Sequence, residues 1–368
     1  MKRLPSAAFA GLAAMTLFAS PLCAATQVVP MSEAAWTIRA KDHRFESYKG
    51  EQSLFLSGGA AEAIGADFKD GVIEFDIALE EARGFSGIAF RVEGKSDYEH
   101  FYLRSHLSGQ PDASQYTPVI NGSAAWQILS GPRYGAAIKY RFNDWMHVKI
   151  VVKNEKADIY VDSDTPTLHV DKLMRDPQAG MISLTSSFAP ARFANLKIDP
   201  TENVETIGSA PPLDPLPANL IAEWEVSLPF DSASLNGADH LSKVALKDIS
   251  WLKLAVEENG MANLARGGAP KEGDDAVFVR LVVDAPRREV RRLKFGFSDE
   301  VTAFVNGEAV YSGSDSYASR DYRFLGTVGF FDTLHLLLKK GRNEIIFLVK
   351  ESFGGWGITG AFEDAQRD

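Results

Sequence analysis

Hydrophobic and polar residues alternate with a period of two along most of the chain, which is typical of β-strands with one buried face. In residues 71–80, for example, apolar side chains fall on every second position. Residues 171–176 and 258–266 are at most short turns or helices. The pattern predicts an all-β protein.

A proline-rich stretch divides the chain. Residues 209–217 contain four prolines within seven residues, which favours a semi-rigid extended spacer over a strand. A chain of 368 residues is also longer than one hydrophobic core usually serves. We therefore predict a first β-sandwich domain over residues 27–205, a linker over 206–218, and a smaller second sandwich over 219–365.

Residues 98–106 predict a strand whose two faces differ strongly. Phe101 and Leu103 fall on the core side by the alternation. The opposite face concentrates rigid groups that form several hydrogen bonds each, namely Tyr98, His100, Tyr102, Arg104 and His106. A solvent-exposed face normally carries Lys, Glu, Ser and Thr instead, so this face is a candidate binding surface.

The same alternation places Arg91 on the outer face of the preceding strand, beside the small Gly87 and Ala89. Aromatic rings stack on the C–H surfaces of sugars, and phenol, imidazole and guanidinium groups bond to hydroxyls. The face therefore suits a hydroxylated ligand. The alternative is a purely structural ladder, in which Glu74 or Asp76 pairs with Arg91 or Arg104.

The loop after this strand, residues 107–126, is dense in amide, hydroxyl and aromatic groups. Loops carry function when a rigid scaffold positions them. At the rim of a site we expect Asp112, Gln115, Tyr116, Asn121 and Trp126. The alternative is that Asn121-Gly122 is only a hairpin turn and Trp126 a core anchor.

The amino-terminal residues predict a bacterial export signal. Lys2 and Arg3 precede an apolar stretch that is too short to span a bilayer, and a small-residue cleavage motif ends at Ala24. We interpret residues 1–24 as a cleaved signal peptide and the mature protein as periplasmic or secreted. Cleavage would also remove Cys23, the only cysteine of the chain.

The net charge of the chain limits the classes of binding partner to be expected. The formal net charge is −10, and removing Lys2 and Arg3 with the signal peptide lowers it by two more units to −12. Such a balance argues against nucleic acid or an anionic membrane as partner. We expect no membrane anchor. A neutral ligand such as a carbohydrate is compatible with this charge.

Short motifs in the first half carry a resemblance. Gly87-Ile88-Ala89-Phe90-Arg91, Trp145-Met146-His147-Val148-Lys149 and Ala191-Arg192-Phe193-Ala194-Asn195 resemble a laminin-G or concanavalin A-like β-sandwich, and in particular the bacterial 3-keto-disaccharide hydrolases. The likeness covers residues 50–199. It implies a sugar-facing concave sheet carrying Arg91, His100, Arg104 and His106.

Catalysis is the second hypothesis for this half. Retaining glucanases of the same sandwich class carry Glu-x-Asp-x-x-Glu on one strand, whereas the string from Glu74 through Asp76 to Glu80 has one extra residue. Its outer carboxylates are therefore about 20 Å apart, beyond the separation used in two-carboxylate glycoside hydrolysis. The candidates for a glycosidase or lyase are Glu74, Asp76, His100 and His106.

The second half has its own resemblance. Residues 298–307, Ser-Asp-Glu-Val-x-x-Phe-Val-Asn-Gly, and the later Lys340-Gly341-Arg342-Asn343-Glu344 resemble the galactose-binding-like jelly roll appended to many glycosidases. In that family the module is as often a structural companion as a binder. The positions considered for binding are Asp299, Asn306 and Trp356.

We predict no cofactor. A structural calcium ion stays open as an alternative, because related sandwiches often hold one, although no Asp-rich loop here has convincing spacing for it. Two functions therefore stay open: a non-catalytic carbohydrate-binding protein, and an enzyme acting on glycosides or 3-keto-disaccharides. A third alternative is a structural interaction protein without a small ligand, which the lack of a cleft over the first sheet would favour.

Overall fold

The computed structural model describes residues 26–94, 96–235, 239–241, 246–321 and 323–363. The predicted signal peptide, residues 1–24, lies outside the described residues. Strands dominate the described chain, and its helices are four short 3₁₀ segments, Glu33–Ala35, Ser105–Leu107, Ser232–Leu235 and Leu264–Gly267. The predicted all-β class is confirmed. No helix in the described part of the chain is both long and apolar enough to cross a bilayer.

The first half forms one curled antiparallel sheet. Its strands are β1 (Gln27–Val28), β2 (Trp36–Tyr48), β3 (Glu51–Phe68), β4 (Gly71–Leu79), β5 (Gly84–Glu93), β6 (Asp97–Arg104), β7 (Ser114–Ile120), β8 (Ser123–Ala124), β9 (Met146–Lys153), β10 (Lys156–Val161), β11 (Leu168–Val170), β12 (Gly180–Phe188) and β13 (Ala191–Pro200). Their order is β11-β10-β9-β4-β13-β3-β12-β5-β6-β7-β8, with β2 on the other edge of β3 and β1 beside β13.

The long strand β3 divides this sheet into two layers. Its first part pairs with β13 and its second part with β12, while β2 follows it along its length. Between the two parts lie Gly58, which has a positive φ of 63°, and Gly59. A Cβ at Gly59 would lie 2.1 Å from the carbonyl oxygen of Arg39, so only glycine fits this crossing. The β2–β3 hairpin thus belongs to both layers.

The core of the first domain lies between these layers. The first layer, β11-β10-β9-β4-β13, contributes Phe75 and Phe193. The second layer, β12-β5-β6-β7-β8, contributes Ile88 and Phe101 from its inner face. Burying each of these side chains favours folding by roughly 1.5–3 kcal/mol. Because the inner faces are apolar, the outer face of each layer is left free for other roles, as in a concanavalin A-like sandwich.

The second half is a smaller sandwich of two sheets. Its strands are β14 (Glu223–Val226), β15 (Leu252–Ala255), β16 (Ala262–Asn263), β17 (Ala276–Ala285), β18 (Glu289–Ser298), β19 (Glu300–Val305), β20 (Glu308–Ser314), β21 (Asp332–Leu338), β22 (Gly341–Lys350) and β23 (Gly357–Phe362). A six-stranded sheet, β15-β14-β17-β22-β19-β20, faces a four-stranded sheet, β16-β23-β18-β21. Trp224, Phe295 and Phe347 fill the space between them.

Gln127 holds the two sandwiches together. It is fully buried and forms hydrogen bonds with the second domain through both its main chain and its side chain. Its side-chain Nε2 donates to the carbonyl oxygen of Leu325 at 2.8 Å, and its Oε1 accepts from the Ser298 hydroxyl at 3.3 Å. Its main-chain N–H donates to Gly354, and its carbonyl accepts from Val328. These contacts fix the loops of the second domain against the second layer of the first.

The linker lies against the first layer. The main-chain N–H groups of Ile207 and Gly208 donate to the buried carboxylate of Asp158. That carboxylate also pairs with the ring of His169, whose other nitrogen contacts Asp171 at 3.0 Å. The extended segment is therefore anchored at its start, and this limits how freely the two domains can separate.

Candidate functional site

The floor of the candidate site is the outer face of the second layer. Strand pairing sets Gly87 opposite Tyr102 and Ala89 opposite His100. Thr185 of β12 lies on the other side of Gly87. Because two of these positions carry almost no side chain, the large rings on β6 have open space beside them.

A cavity of about 650 Å³ lies over this floor, and we call it the inter-domain cavity. This volume is within the range of small-molecule binding sites. Its first-domain lining is mostly aromatic and polar and consists of Gly59, Ala60, Arg83, Phe85, Tyr98, His100, Tyr102, Arg104, His106, Leu107, Asp112, Trp126, Thr185, Ser186, Ser187 and Phe188. The second domain adds Tyr317, Leu325 and Phe353.

Three rings follow one another along β6. The ring of His100 lies 5.7 Å from that of Tyr98 and 4.9 Å from that of Tyr102, measured between centroids. Its Nε2 is hydrogen-bonded to the hydroxyl of Thr185 at 2.9 Å. Burial lowers the pKa of His100 to about 4, because the charged ring would lose its hydration. His100 is therefore neutral at physiological pH.

Arg104 lies at the end of this row of rings. Its guanidinium donates to the carbonyl oxygen of Asp112 at 2.9 Å, to the Tyr102 hydroxyl at 3.3 Å and to Oε1 of Gln115 at 3.2 Å. It also lies over the rings of Tyr102 and Trp126. These contacts hold a cation in a fixed position on the cavity wall.

His106 and Asp112 line the same cavity near Arg104. The pKa of His106 lies below its usual range, first because of burial and then because of the positive charges of Arg83 and Arg104. The imidazole is thus neutral near pH 7 and able to accept a proton. It also packs edge-on against Phe85, with the centroids 5.2 Å apart.

The second domain forms a lip over the cavity, made of Tyr317, Leu325 and Phe353. Asp299 is buried and positions two parts of this lip, one through its side chain and one through its main chain. Its Oδ2 accepts from the main-chain N–H of Ser352 at 2.8 Å and of Phe353 at 2.9 Å. Its carbonyl oxygen accepts from the N–H of Asp315, two residues before Tyr317. Asp299, considered for direct binding, is instead buried beneath the lip.

Trp126 and Phe353 separate the inter-domain cavity from a second one. Their rings meet edge to face at 5.8 Å and line both spaces. The second cavity has a volume of about 420 Å³ and also contacts Asn121 and Glu351. Burial and the nearby Asp299 raise the pKa of Glu351 to about 8, so this carboxyl is mostly protonated at neutral pH.

Asn121 and Gly122 form the two-residue turn between β7 and β8, both with positive φ. The side chain of Asn121 donates to the carbonyl oxygen of Ala265 in the second domain at 2.9 Å. The residue therefore contributes to the domain contact as well as to the wall of the second cavity. Trp126, for which a core role was the alternative, lines both cavities.

Arg91 does not lie on the predicted outer face. Its side chain is 0% exposed and pairs with Asp70 at 3.0 Å. It also donates to the carbonyl oxygens of Lys69 and Asn154. The register of β5 shifts between Phe90 and Glu93, and Arg91 has a positive φ of 52°. This irregularity breaks the alternation, so the guanidinium turns into the protein.

Tyr116 and Gln115 are also buried, in different environments. Tyr116 pairs with the inward-facing Phe101, and its hydroxyl donates to the buried carboxylate of Glu99 at 2.7 Å. It therefore belongs to the core rather than to the rim. Gln115 lies opposite Tyr102 in the strand pairing, and its Oε1 accepts a hydrogen bond from Arg104. It therefore acts on the site through Arg104 and does not line the cavity itself.

Glu74 and Asp76 lie on the other layer, away from the imidazoles with which they were grouped. Asp76 accepts from the side chain of Asn195 at 2.8 Å and lies 2.8 Å from Nδ1 of His147. Glu74 is 3.5 Å from Nε2 of the same ring. Neither carboxylate pairs with Arg91 or Arg104. The structure thus brings His100 and His106 to one cavity and leaves Glu74 and Asp76 outside it.

Several lining residues had no signal in the sequence. Arg83 precedes β5 and Phe188 ends β12, so the alternation within these strands does not assign them reliably to a face. Phe85 shares its parity with the outer-face residues Gly87 and Ala89 but was not singled out as a site residue. Tyr317 and Phe353 reach the cavity from another domain, which no local pattern predicts. Within the residues that the structure describes, no three His, Cys, Asp or Glu side chains converge as metal ligands.

No protein family model matches the chain, and no curated protein matches it. Among solved structures, the carbohydrate-binding module CBM66 from Bacillus subtilis covers 47% of this chain and 94% of its own, at 18% identity and a TM-score of 0.33. A β-glucanase from Bacillus licheniformis covers 47% and 97%, at 11% identity and a TM-score of 0.35. A lichenase derived from a mouse hindgut metagenome covers 48% and 98%, at 10% identity and a TM-score of 0.36.

Proposed function

We propose that this protein binds a carbohydrate in the inter-domain cavity. The observation that supports the proposal most is the row of rings along β6, where Tyr98, His100 and Tyr102 lie side by side at the floor of a 650 Å³ space. Ring faces pack against the C–H surfaces of a pyranose, and the neighbouring hydroxyl, imidazole and guanidinium groups are hydrogen-bonding partners for its hydroxyls.

The second domain, in this proposal, completes the binding site. Phe353 and Tyr317 line the same cavity as the β6 rings, so a ligand in the cavity would contact aromatic side chains from both domains. Enclosure of this kind removes apolar surface from water and orients the ligand. The resemblance to a galactose-binding-like jelly roll therefore describes a companion domain here, without requiring a second independent sugar site.

An enzyme acting on glycosides or 3-keto-disaccharides is the second candidate. One observation favours it: the neutral imidazole of His106 and the carboxylate of Asp112 line the same cavity, as an acid–base pair requires. Asp112 is the only carboxylate among the described residues that line the cavity, and hydrolysis by two carboxylates needs a second one. Binding without turnover is therefore the function that we place first.

The experiment that tests the proposal is a glycan-array scan of the mature protein, followed by incubation of each bound glycan and a search for new products. Tyr98→Ala removes one stacking ring and should weaken binding about tenfold, or about 1.4 kcal/mol. Tyr48→Ala is the matched control, because this tyrosine packs on Trp145 outside the cavity. Binding without products supports the first candidate, and binding with products supports the second. If no glycan binds, both fail.

We also propose that the protein is exported to the periplasm or beyond after cleavage behind Ala24. Mass spectrometry of the protein purified from the periplasmic or culture fraction should show Ala25 as its first residue. A chain that retains Met1 in the cytoplasmic fraction would contradict the export proposal, and it would leave the proposal about the cavity unaffected.

A further inference from the structure

Arg104 is a buried cation that forms no ion pair with any of the described residues. Only 6% of the residue is exposed, which is unusual for a cation. Its three hydrogen-bond acceptors, from Asp112, Tyr102 and Gln115, are a carbonyl, a hydroxyl and an amide oxygen, all of them neutral. Within the described residues, no carboxylate oxygen lies within 4 Å of its guanidinium nitrogens.

The other arginines with largely buried side chains have a different arrangement. Each has a carboxylate oxygen within 3.0 Å: Arg91 with Asp70, Arg133 with Glu258, and Arg175 with Glu93. A buried charge without a counter-charge is costly, since removal from water is then not compensated. The fold therefore pairs each of these structural arginines with a carboxylate. Arg104, on the cavity wall, has no such partner among the described residues.

The guanidinium of Arg104 retains free donors. Of its five N–H groups, three are used in the contacts just described. Its Nε–H and one Nη1–H find no acceptor in the part of the chain that the structure describes. Neutral atoms cannot compensate the charge, whereas an anionic oxygen would form short, charge-assisted hydrogen bonds with these donors.

The surroundings of Arg104 are electropositive. Arg83 lines the same cavity, and together the two cations contribute to the lowered pKa of His106. Asp112 is the sole acidic side chain among the described lining residues. This local excess of positive charge contrasts with the net charge of −10 for the whole chain.

We propose that the ligand of the inter-domain cavity is an acidic glycan, whose carboxylate or sulfate group pairs with Arg104. The inference rests on the proposed sugar-binding function and specifies its ligand class. A uronic acid and a sulfated sugar both present oxygen anions that a guanidinium binds in its plane. The sugar ring would then lie over Tyr102 and His100, and Arg83 would face the anion from the rim.

The test uses matched glycan probes in titration calorimetry with the mature protein. For glucose-, galactose- and mannose-based tetrasaccharides, the neutral form is compared with its C6-carboxylate form and with its 6-O-sulfate form. We expect an acidic form to bind at least about tenfold more tightly than its neutral parent, as for a hydrogen bond to a charged group. Which of the two acidic forms binds more tightly identifies the anion.

Three variants locate the effect. Arg104→Gln should remove the preference for the acidic form, and Arg104→Lys, which keeps the charge but not the planar donors, should retain part of it. Arg141→Gln is the matched control, because this arginine is exposed and pairs with Asp162 outside the cavity. Circular dichroism checks that each variant is folded.

Each outcome decides between the two proposals. Equal or tighter binding of the neutral forms would overturn the acidic-glycan inference and leave the sugar-binding proposal standing. A preference that survives in folded Arg104→Gln would also overturn the inference. If no member of any set binds, the sugar-binding proposal fails with it.

Discussion

At the scale of single residues, two arginines on adjacent strands, Arg91 on β5 and Arg104 on β6, have opposite roles. Arg91 and Arg104 were both predicted on the binding face, yet one is a buried structural cation and the other a cavity residue. The difference comes from their partners: a carboxylate for Arg91, and neutral oxygens only for Arg104. Burial together with ion pairing therefore separates structural from ligand-facing arginines in this domain.

The role of Arg91 leads to a stability prediction. Arg91→Ala removes one partner of a fully buried ion pair and leaves the Asp70 carboxylate uncompensated. We expect a loss of about 3–5 kcal/mol in the free energy of unfolding, measured by urea denaturation. The exposed pair of Arg39 with Glu62 serves as the control, and Arg39→Ala should change this energy by less than about 1 kcal/mol. A stable Arg91→Ala protein that no longer binds glycan would show that Arg91 contacts ligand.

His100 leads to a prediction about pH. Its pKa is about 4 in the folded protein and about 6.5 in an unfolded chain, so between these values the unfolded chain takes up a proton that the folded protein does not. This contribution to stability is complete above pH 6.5 and is lost as the pH falls towards 4.

The variant His100→Gln removes this pH-dependent contribution to the free energy of unfolding. Between pH 7 and pH 4.5 the native protein should lose about 2 kcal/mol more of its unfolding free energy than the variant does. Urea denaturation at the two pH values measures the difference. An equal loss in both proteins would mean that the ring of His100 is hydrated and titrates normally.

At the scale of elements, the lip of the cavity depends on one carboxylate. Asp299→Ala would leave the N–H groups of Ser352 and Phe353 without their acceptor, so this segment should move away from its position over the cavity. We expect glycan affinity to fall about tenfold in calorimetry. Asp299→Asn keeps one acceptor oxygen and should retain part of the affinity. Asp231→Ala, which removes an exposed turn contact in the same domain, is the control.

A result in which Asp299→Ala binds glycan as tightly as the native protein would show that the lip does not contribute to binding. The floor formed by β6 would then be the whole site, and the second domain would have only a structural role.

The alternation of polar and apolar residues predicted the elements well, because one face of each strand is buried. It placed Tyr98, His100 and Tyr102 on the outer face of β6, where the structure has them. It failed at Arg91, since a β-bulge adds a residue to β5 and reverses the faces. Tyr116 was predicted in a loop at the rim of the site. It lies instead on strand β7, opposite Phe101, with its side chain in the core.

Spatial neighbours explain the remaining differences. The grouping of Glu74 and Asp76 with His100 assumed one common face, but the curled sheet separates β4 and β6 into different layers. A sequence pattern defines the face of each strand without defining which layer that strand joins. The partners of Gln127 in the second domain were unpredictable for the same reason, since they lie between 171 and 227 residues further along the chain.

At the scale of the whole molecule, the site is formed by the meeting of two domains. One sandwich supplies the aromatic floor and the cation, and the other supplies the lip through loops that Gln127 and Asp299 hold in place. Because Gln127 of the first sandwich bonds directly to loops of the second, the fold itself brings the two walls of the cavity together. Binding in such a preformed space costs less ordering than binding between separated domains.

The most direct test of this account is a crystal structure of the mature protein with the tightest-binding glycan from the array. We predict a sugar ring over His100 and Tyr102, enclosed by Phe353. Glycan density over the other layer, at Glu74, Asp76 and His147, would contradict the central claim. The binding site would then lie at the carboxylates of Glu74 and Asp76.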